Sequence, residues 1–138
     1  MPNDINITVT PRAGRPCASS GSKWEPKMGY SRAVRAGNLI AVTGTVGINA
    51  DGTYSPSLKD QAKRSLDIIR AAIEALGGKI ENVIRTRMYV TDVSKWEEVA
   101  AAHGEVFAEI RPATTIVEVT RLIDGAARIE IEADAVVG

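Results

Sequence analysis

One stretch near the C-terminus limits what this chain can fold into more than any other. From Arg128 to Asp134, charged and apolar residues alternate without a break: Arg128, Glu130, Glu132 and Asp134 against Ile129, Ile131 and Ala133. Side chains of a strand point alternately to its two faces. A strand here therefore has one apolar face, continued by Ala135, and one face made only of charges. Any sheet that contains it must be covered by other elements on one side and by water or charge-bearing partners on the other.

The covering elements are also visible. "SLKDQAKRSLDIIRAAIEALGG" places Leu58, Ala62, Leu66, Ile69, Ile73 and Leu76 at helical spacing, with Ser57 as the cap and Gly77-Gly78 as the stop. A second helix is expected from about Ser94 to Glu109, with Trp96, Val99, Ala100, His103, Val106 and Phe107 on its stripe. Strand-like runs surround them. "YSRAVRAGNLIAVTGTVGI" reads as a hairpin turning at Ala36-Gly37-Asn38, and "NADGTY" supplies a turn at Asp51-Gly52. In "ENVIRTRMYVT", Ile84, Thr86, Met88 and Val90 share one face, and Arg85, Arg87 and Tyr89 the other. "TTIVEVTRL" and "ARIEIEADAVV" close the chain through the "IDGA" turn.

The order from Tyr30 onward is β-β-α-β-α-β-β, an α+β domain spanning 30–138 whose mixed sheet carries two helices on one face. Ahead of it, residues 1–29 form an N-terminal arm. "INITVT" can add a short edge strand, while the Pro-, Gly- and Ser-rich 11–29 stretch reads as irregular. A length of 138 residues suits one domain with a sizeable core. Seventeen basic and seventeen acidic side chains cancel, so the chain lacks the basic footprint expected of a nucleic-acid binder. No apolar run is long enough to span a bilayer and no signal core opens the chain, which points to a cytoplasmic protein. With one His and one Cys, a structural zinc site is not credible.

The charged sheet face has two readings. It is either solvated, with ion pairs worth roughly 0–1 kcal/mol each, or it packs against copies of itself with acids and arginines paired. Glu118 and Glu132 are assigned to the same side as Glu130, so all three acids are expected on this polar face.

At this point the chain resembles the YjgF/RidA family, also known as reactive intermediate deaminases or L-PSP endoribonucleases. The matching stretches are "GYSRAVRAGNLIAVTGTVG", "RTRMYVTDVSKWEEV", "RPATTIVEV" and "IEIEADAVV". The resemblance implies a chorismate-mutase-like protomer, a homotrimer whose sheets form a central barrel, and small-molecule sites in the clefts between subunits. It implies hydrolysis of reactive enamines and imines to keto acids and ammonia, without metal or organic cofactor. Residue by residue, it places Tyr30, Thr43 and Gly44 on the substrate and gives Glu130 the hydrolytic water.

One position departs from the family. Its signature reads Pro-Ala-Arg-Ser/Thr, whereas this chain has Pro112-Ala113-Thr114-Thr115, with Ile116 where a Cys is usual. The guanidinium that clamps a substrate carboxylate is absent, and neutral Thr114 cannot replace its bidentate contact. Arg111, Arg32 and Arg87 are the cations that could compensate, Arg111 ranking first. Thr114, Ile116 and Arg111 are thus candidate substrate contacts. His103 joins them either as a hydrogen-bonded wall residue or, less favoured, as an acid/base.

The leading expectation is a trimeric imine deaminase with altered recognition. A metabolite-binding regulatory trimer is the alternative. Ribonuclease activity ranks last, because charge balance and a single histidine do not suit it.

Overall fold

The computed structural model describes residues 3–138. Its strands are β1 (Thr8–Arg12), β2 (Arg15–Ser19), β3 (Ala33–Ala36), β4 (Leu39–Val46), β5 (Val83–Val90), β6 (Ala113–Glu118) and β7 (Ile129–Val136). Its helices are α1 (Trp24–Met28), α2 (Leu58–Ala75) and α3 (Trp96–Phe107), with 3-10 turns at Ile80–Asn82 and Val93–Lys95. The strands form one sheet in the order β1-β2-β3-β4-β7-β5-β6. Every pairing is antiparallel except β5 with β6. This is the expected α+β fold.

Local chemistry sets most element ends. Ser57 caps α2, its Oγ accepting from the Asp60 N–H at 3.2 Å. At the other end Gly77, at φ 87°, lets its N–H reach Glu74 O while Gly78 N–H reaches Ile73 O. That double bond is a Schellman closure, which a side chain at Gly77 would strain. Gly37 turns the β3–β4 hairpin at φ 62°.

The last strand, β7, lies between β4 and β5 and carries the core. Ile129, Ile131, Ala133 and Ala135 are at most 1% exposed, beneath α2. Opposite them α2 presents Leu66, Ile69 and Ile73, also buried. Each such Leu or Ile contributes roughly 1.5–3 kcal/mol by leaving water. Gln61 is buried too, and stitches the helix to two loops: its Nε2 donates to Ser55 O at 2.9 Å, and its Oε1 accepts from Arg128 N–H at 2.9 Å.

Four local readings are corrected. The 11–29 stretch is not irregular: β1 and β2 form a hairpin through Ala13 (φ 51°) and Gly14 (φ 75°), and α1 follows. Its prolines fit because Pro11 lies on the edge strand and Pro16 lies beyond the short Cys17–Ala18 ladder to β3. Ile84 is 52% exposed instead of sharing the core face, because a register shift between Val83 and Arg85 hands that place to Val83. On α3, Trp96 and Ala100 are exposed and Ala102 takes the buried position. Glu118 does not share a face with Glu130. Parallel pairing aligns Thr86 with Thr114, Met88 with Ile116 and Val90 with Glu118, so these β6 residues lie on the helix side. There Glu118 accepts from the Val93 N–H at 3.1 Å and holds the turn before α3.

Gly47, just past the end of β4, lies tight against α2. A Cβ there would overlap the backbone carbonyl of Gln61 in α2. Gly47→Ala is expected to cost about 2 kcal/mol or more, seen as a lowered urea midpoint at unchanged m-value.

Candidate active site

The best-developed cavity, about 560 Å³, opens where β4 is irregular. The β4–β7 ladder shifts register between Val42 and Thr45, leaving Thr43 and Gly44 out of regular pairing. Thr43 is held back toward β3: its N–H donates to Arg32 O at 2.9 Å and its hydroxyl to Ser31 O at 2.6 Å. Gly44 faces the cavity.

Arg32 organises this wall. It is 5% exposed, and its guanidinium meets five acceptors. Nε donates to Ser20 Oγ at 3.2 Å. Nη1 donates to Gly44 O at 2.9 Å and Thr45 Oγ1 at 3.2 Å. Nη2 donates to Tyr30 Oη at 3.4 Å and lies 3.6 Å from the buried Glu25 carboxylate. Glu25 in turn accepts from the Ser20 N–H and hydroxyl. One buried ion pair thereby joins α1, the β2 end, Tyr30 and the β4 bulge.

Glu130 faces the same cavity from β7 and is half-buried. Its Oε2 sits so close to Gly44 that a Cβ there would lie 2.6 Å away. Burial pushes its carboxyl above the usual glutamate range, Arg32 pulls the other way, and neighbouring Glu132 adds to the rise. Tyr54 and Asp124 complete the polar lining. The Tyr54 hydroxyl donates to Asp124 Oδ2 at 3.1 Å, and burial first, then Asp124, keeps the phenol protonated well above its ordinary range.

A second group lies on the opposite side of the sheet, at the β5–β6 edge. His103 Nε2 is 2.9 Å from Thr86 Oγ1, which is 2.8 Å from Thr114 Oγ1, which donates to Pro112 O at 3.2 Å. Burial lowers the His103 pKa and so favours neutral imidazole. The chain of bonds is satisfied if Nε2–H donates to Thr86 and Thr86 to Thr114. His103 and Thr114 line a hollow of about 250 Å³ together with Ile116, Met88 and Trp96.

The expected site residues thus fall into two sets. Tyr30, Gly44 and Glu130 meet in the larger cavity, with Thr43 just behind. His103, Thr114 and Ile116 meet in the smaller hollow. Arg111 stands exposed before β6 at φ 53°, its N–H on Phe107 O, and lines neither. Arg87 pairs with Glu132 at 3.3 Å and Asp134 at 3.4 Å on the open sheet face. Of the three alternative cations only Arg32 reaches the cavity. Among the described residues, no group of three or more His, Cys, Asp or Glu side chains is placed to hold a metal ion.

The endoribonuclease L-PSP family model matches residues 21–137. The chain belongs to this family, the YjgF/RidA proteins. Among YjgF/RidA relatives, an uncharacterised Streptomyces coelicolor protein, SCO2049, is 36% identical over 117 residues, covering 84% of this chain and 87% of the relative. The 2-iminobutanoate/2-iminopropanoate deaminase of Escherichia coli K12 is 35% identical over 111 residues, 78% of this chain and 86% of that one. The crystal structure of Rv2704 from Mycobacterium tuberculosis, a YjgF/YER057c/UK114 family member, superposes with TM-score 0.83 at 44% identity, covering 89% of this chain and 99% of that chain. Ser20 and the Asp4–Asn6 stretch, which also line the cavity, precede the segment that the YjgF/RidA model matches.

Sequence reasoning missed Tyr54, Asp124 and Glu25. Tyr54 and Asp124 adjoin the two Asp-Gly turns, and a polar residue held at a turn rim was the available signal. Glu25 gave no signal, since its burial depends on Arg32 arriving from the segment just before β3.

Two outcomes follow from these environments. Arg32→Met strands the Glu25 carboxylate and is expected to cost about 3–5 kcal/mol, with part recovered in the Arg32→Met/Glu25→Gln double variant, measured by urea denaturation. Glu130 binds its proton more tightly folded than unfolded, so its contribution to stability is full below the unfolded value near 4.5 and fades as pH rises through the folded value. Glu130→Gln is therefore expected to be more stable than wild type at neutral pH, with the gap closing toward about pH 4. Denaturation curves across that range check it.

Proposed function

We propose that this chain works as a homotrimer that hydrolyses small imines or enamines to carbonyl compounds and ammonia. The supporting observation is Glu130: a half-buried carboxylate against a side-chain-free backbone position, with its pKa raised. A pKa shifted toward neutrality suits a group that must both take and return a proton. Water held by Glu130 adds to the imine carbon while the carboxylate receives its proton. That proton goes to the nitrogen of the tetrahedral adduct, the adduct's hydroxyl proton follows it by way of the same carboxylate, and the C–N bond breaks to give the carbonyl and ammonia. The backbone at Gly44 and the Tyr30 hydroxyl, both steadied by Arg32, hold the ligand.

The trimer is proposed because the two sets of site residues lie on opposite sides of one sheet. A neighbouring copy that presents its Thr114 hollow to this cavity would complete the cleft. The charged face of β5 and β7, with Arg87, Glu132 and Asp134 already paired, would line the barrel between copies. Similarity to a 2-iminobutanoate/2-iminopropanoate deaminase supports the reaction class.

Thr114 in place of the clamping arginine favours a second reading, a trimer that binds metabolites without turnover. Ligand-dependent rises in melting temperature with no product from any imine would select it. Under the deaminase reading, imines generated in situ lose ammonia faster with the protein than in buffer. Glu130→Gln is expected to lower that rate roughly 10²-fold or more, and wild type sediments as a trimer. Buffer-level rates across acidic and neutral imines reject the activity.

A further inference from the structure

Each cation around the main cavity has a different degree of freedom to meet a ligand. A guanidinium has five N–H donors, and those of Arg32 face five protein acceptors: Ser20, Gly44, Thr45, Tyr30 and Glu25. To grip a ligand carboxylate, Arg32 would have to abandon partners that hold the wall together and leave Glu25 buried without its counter-charge. Arg64 has its Nε on Ile48 O at 3.0 Å and its Nη1 on Asp4 at 2.8 Å, so its charge is already paired with a carboxylate. Lys23 stands at the exposed rim, over the Trp24 ring at 5.2 Å, where water screens it.

The acids are less evenly spent. Glu25 and Asp4 are paired, and Asp124 receives the Tyr54 hydroxyl. Glu130 alone faces the cavity with no protein hydrogen bond or ion pair among the described residues. A half-buried carboxylate of this kind is complemented by an N–H donor and repels a second carboxylate. Beside it, Ile48, Ile68 and Ile123 form an apolar wall. The hollow that a second copy would bring carries a neutral chain, His103 to Thr86 to Thr114, which ends on a protein carbonyl.

From this distribution of charge we infer that the cavity takes imines and amines without a carboxylate: an N–H-bearing nitrogen on Glu130 and an apolar body against the isoleucines. This rests on the deaminase reading and narrows its substrate class. The balanced step is R–CH=NH with H2O giving R–CHO and NH3. A C–O bond forms, the C–N bond breaks, and no electrons are exchanged. Such imines arise where an amine-oxidising enzyme removes hydride from a primary amine, so that class of reaction must supply the substrate. The rival arrangement has the exposed Arg111 of an adjoining copy grip a carboxylate.

The test compares two imines generated in situ: that of phenylethylamine from an amine oxidase, and the 2-imino acid of leucine from an amino-acid oxidase. Acceleration over buffer by the full chain is expected to be roughly tenfold or more greater for the carboxylate-free imine. Equal or greater acceleration of the imino acid overturns the inference and points to Arg111. If neither is accelerated, the deaminase reading fails, and melting temperature still decides the ligand class. Phenylethylamine should then stabilise wild type but not Glu130→Gln, while 3-phenylpropionate stabilises neither. Stabilisation by the carboxylate, or by neither compound, overturns it.

Discussion

The fold depends on β7 carrying two incompatible surfaces on one backbone. It is central, paired with β4 and β5, so its apolar face can only be the floor of the core and its charged face can only be open or paired. A slip of one residue would bury Arg128, Glu130 and Glu132 under α2 at several kcal/mol per unpaired charge. That penalty fixes the register of β4 and β5 as well, and with it Glu130 beside the β4 bulge and Arg87 between Glu132 and Asp134.

The second constraint is the Arg32–Glu25 pair. Taking both charges from water is costly, and the cost is met by a full set of hydrogen bonds around the guanidinium. In return, segments distant in sequence are held at fixed distances: the β2 end, α1, Tyr30 and the bulge at Gly44. The bulge frees Gly44 from the ladder, and the absence of a side chain there admits the Glu130 carboxylate. Arg32 therefore acts on the site through Gly44 and Tyr30, as a positioning residue.

Charge in the site is arranged around one acceptor. Arg32 is paired with Glu25, Arg64 with Asp4, and Asp124 holds the Tyr54 hydroxyl, whereas among the described residues the Glu130 carboxylate is partly desolvated and lacks a protein donor. At the other edge, Thr114 is bound into a neutral chain with Thr86 and His103, so in the proposed trimer a second copy would bring hydroxyl, imidazole and methyl groups to the cleft. Under the proposed reading, an imine nitrogen suits such a site better than an anion does, and the missing family arginine then has a physical meaning.

Much of this was legible in the sequence where the determinants are local. The Ser57 cap, the Gly77-Gly78 stop, the Asp-Gly turns and the β7 alternation depend on neighbours a few residues away, and the motifs around Tyr30 and Glu130 carried the family. The side on which Glu118 projects was not legible, because it depends on the parallel register of β5 and β6. Nor was the burial of Arg32, because its partners lie on three other segments, or the N-terminal hairpin, whose prolines are tolerated only at that edge. Sequence alone determined the elements, the two-faced sheet and the candidate acid, since backbone periodicity and capping are short-range. Only tertiary structure decided which charges are spent and which one faces the cavity, since pairing of buried charge is a property of residues brought together from across the chain.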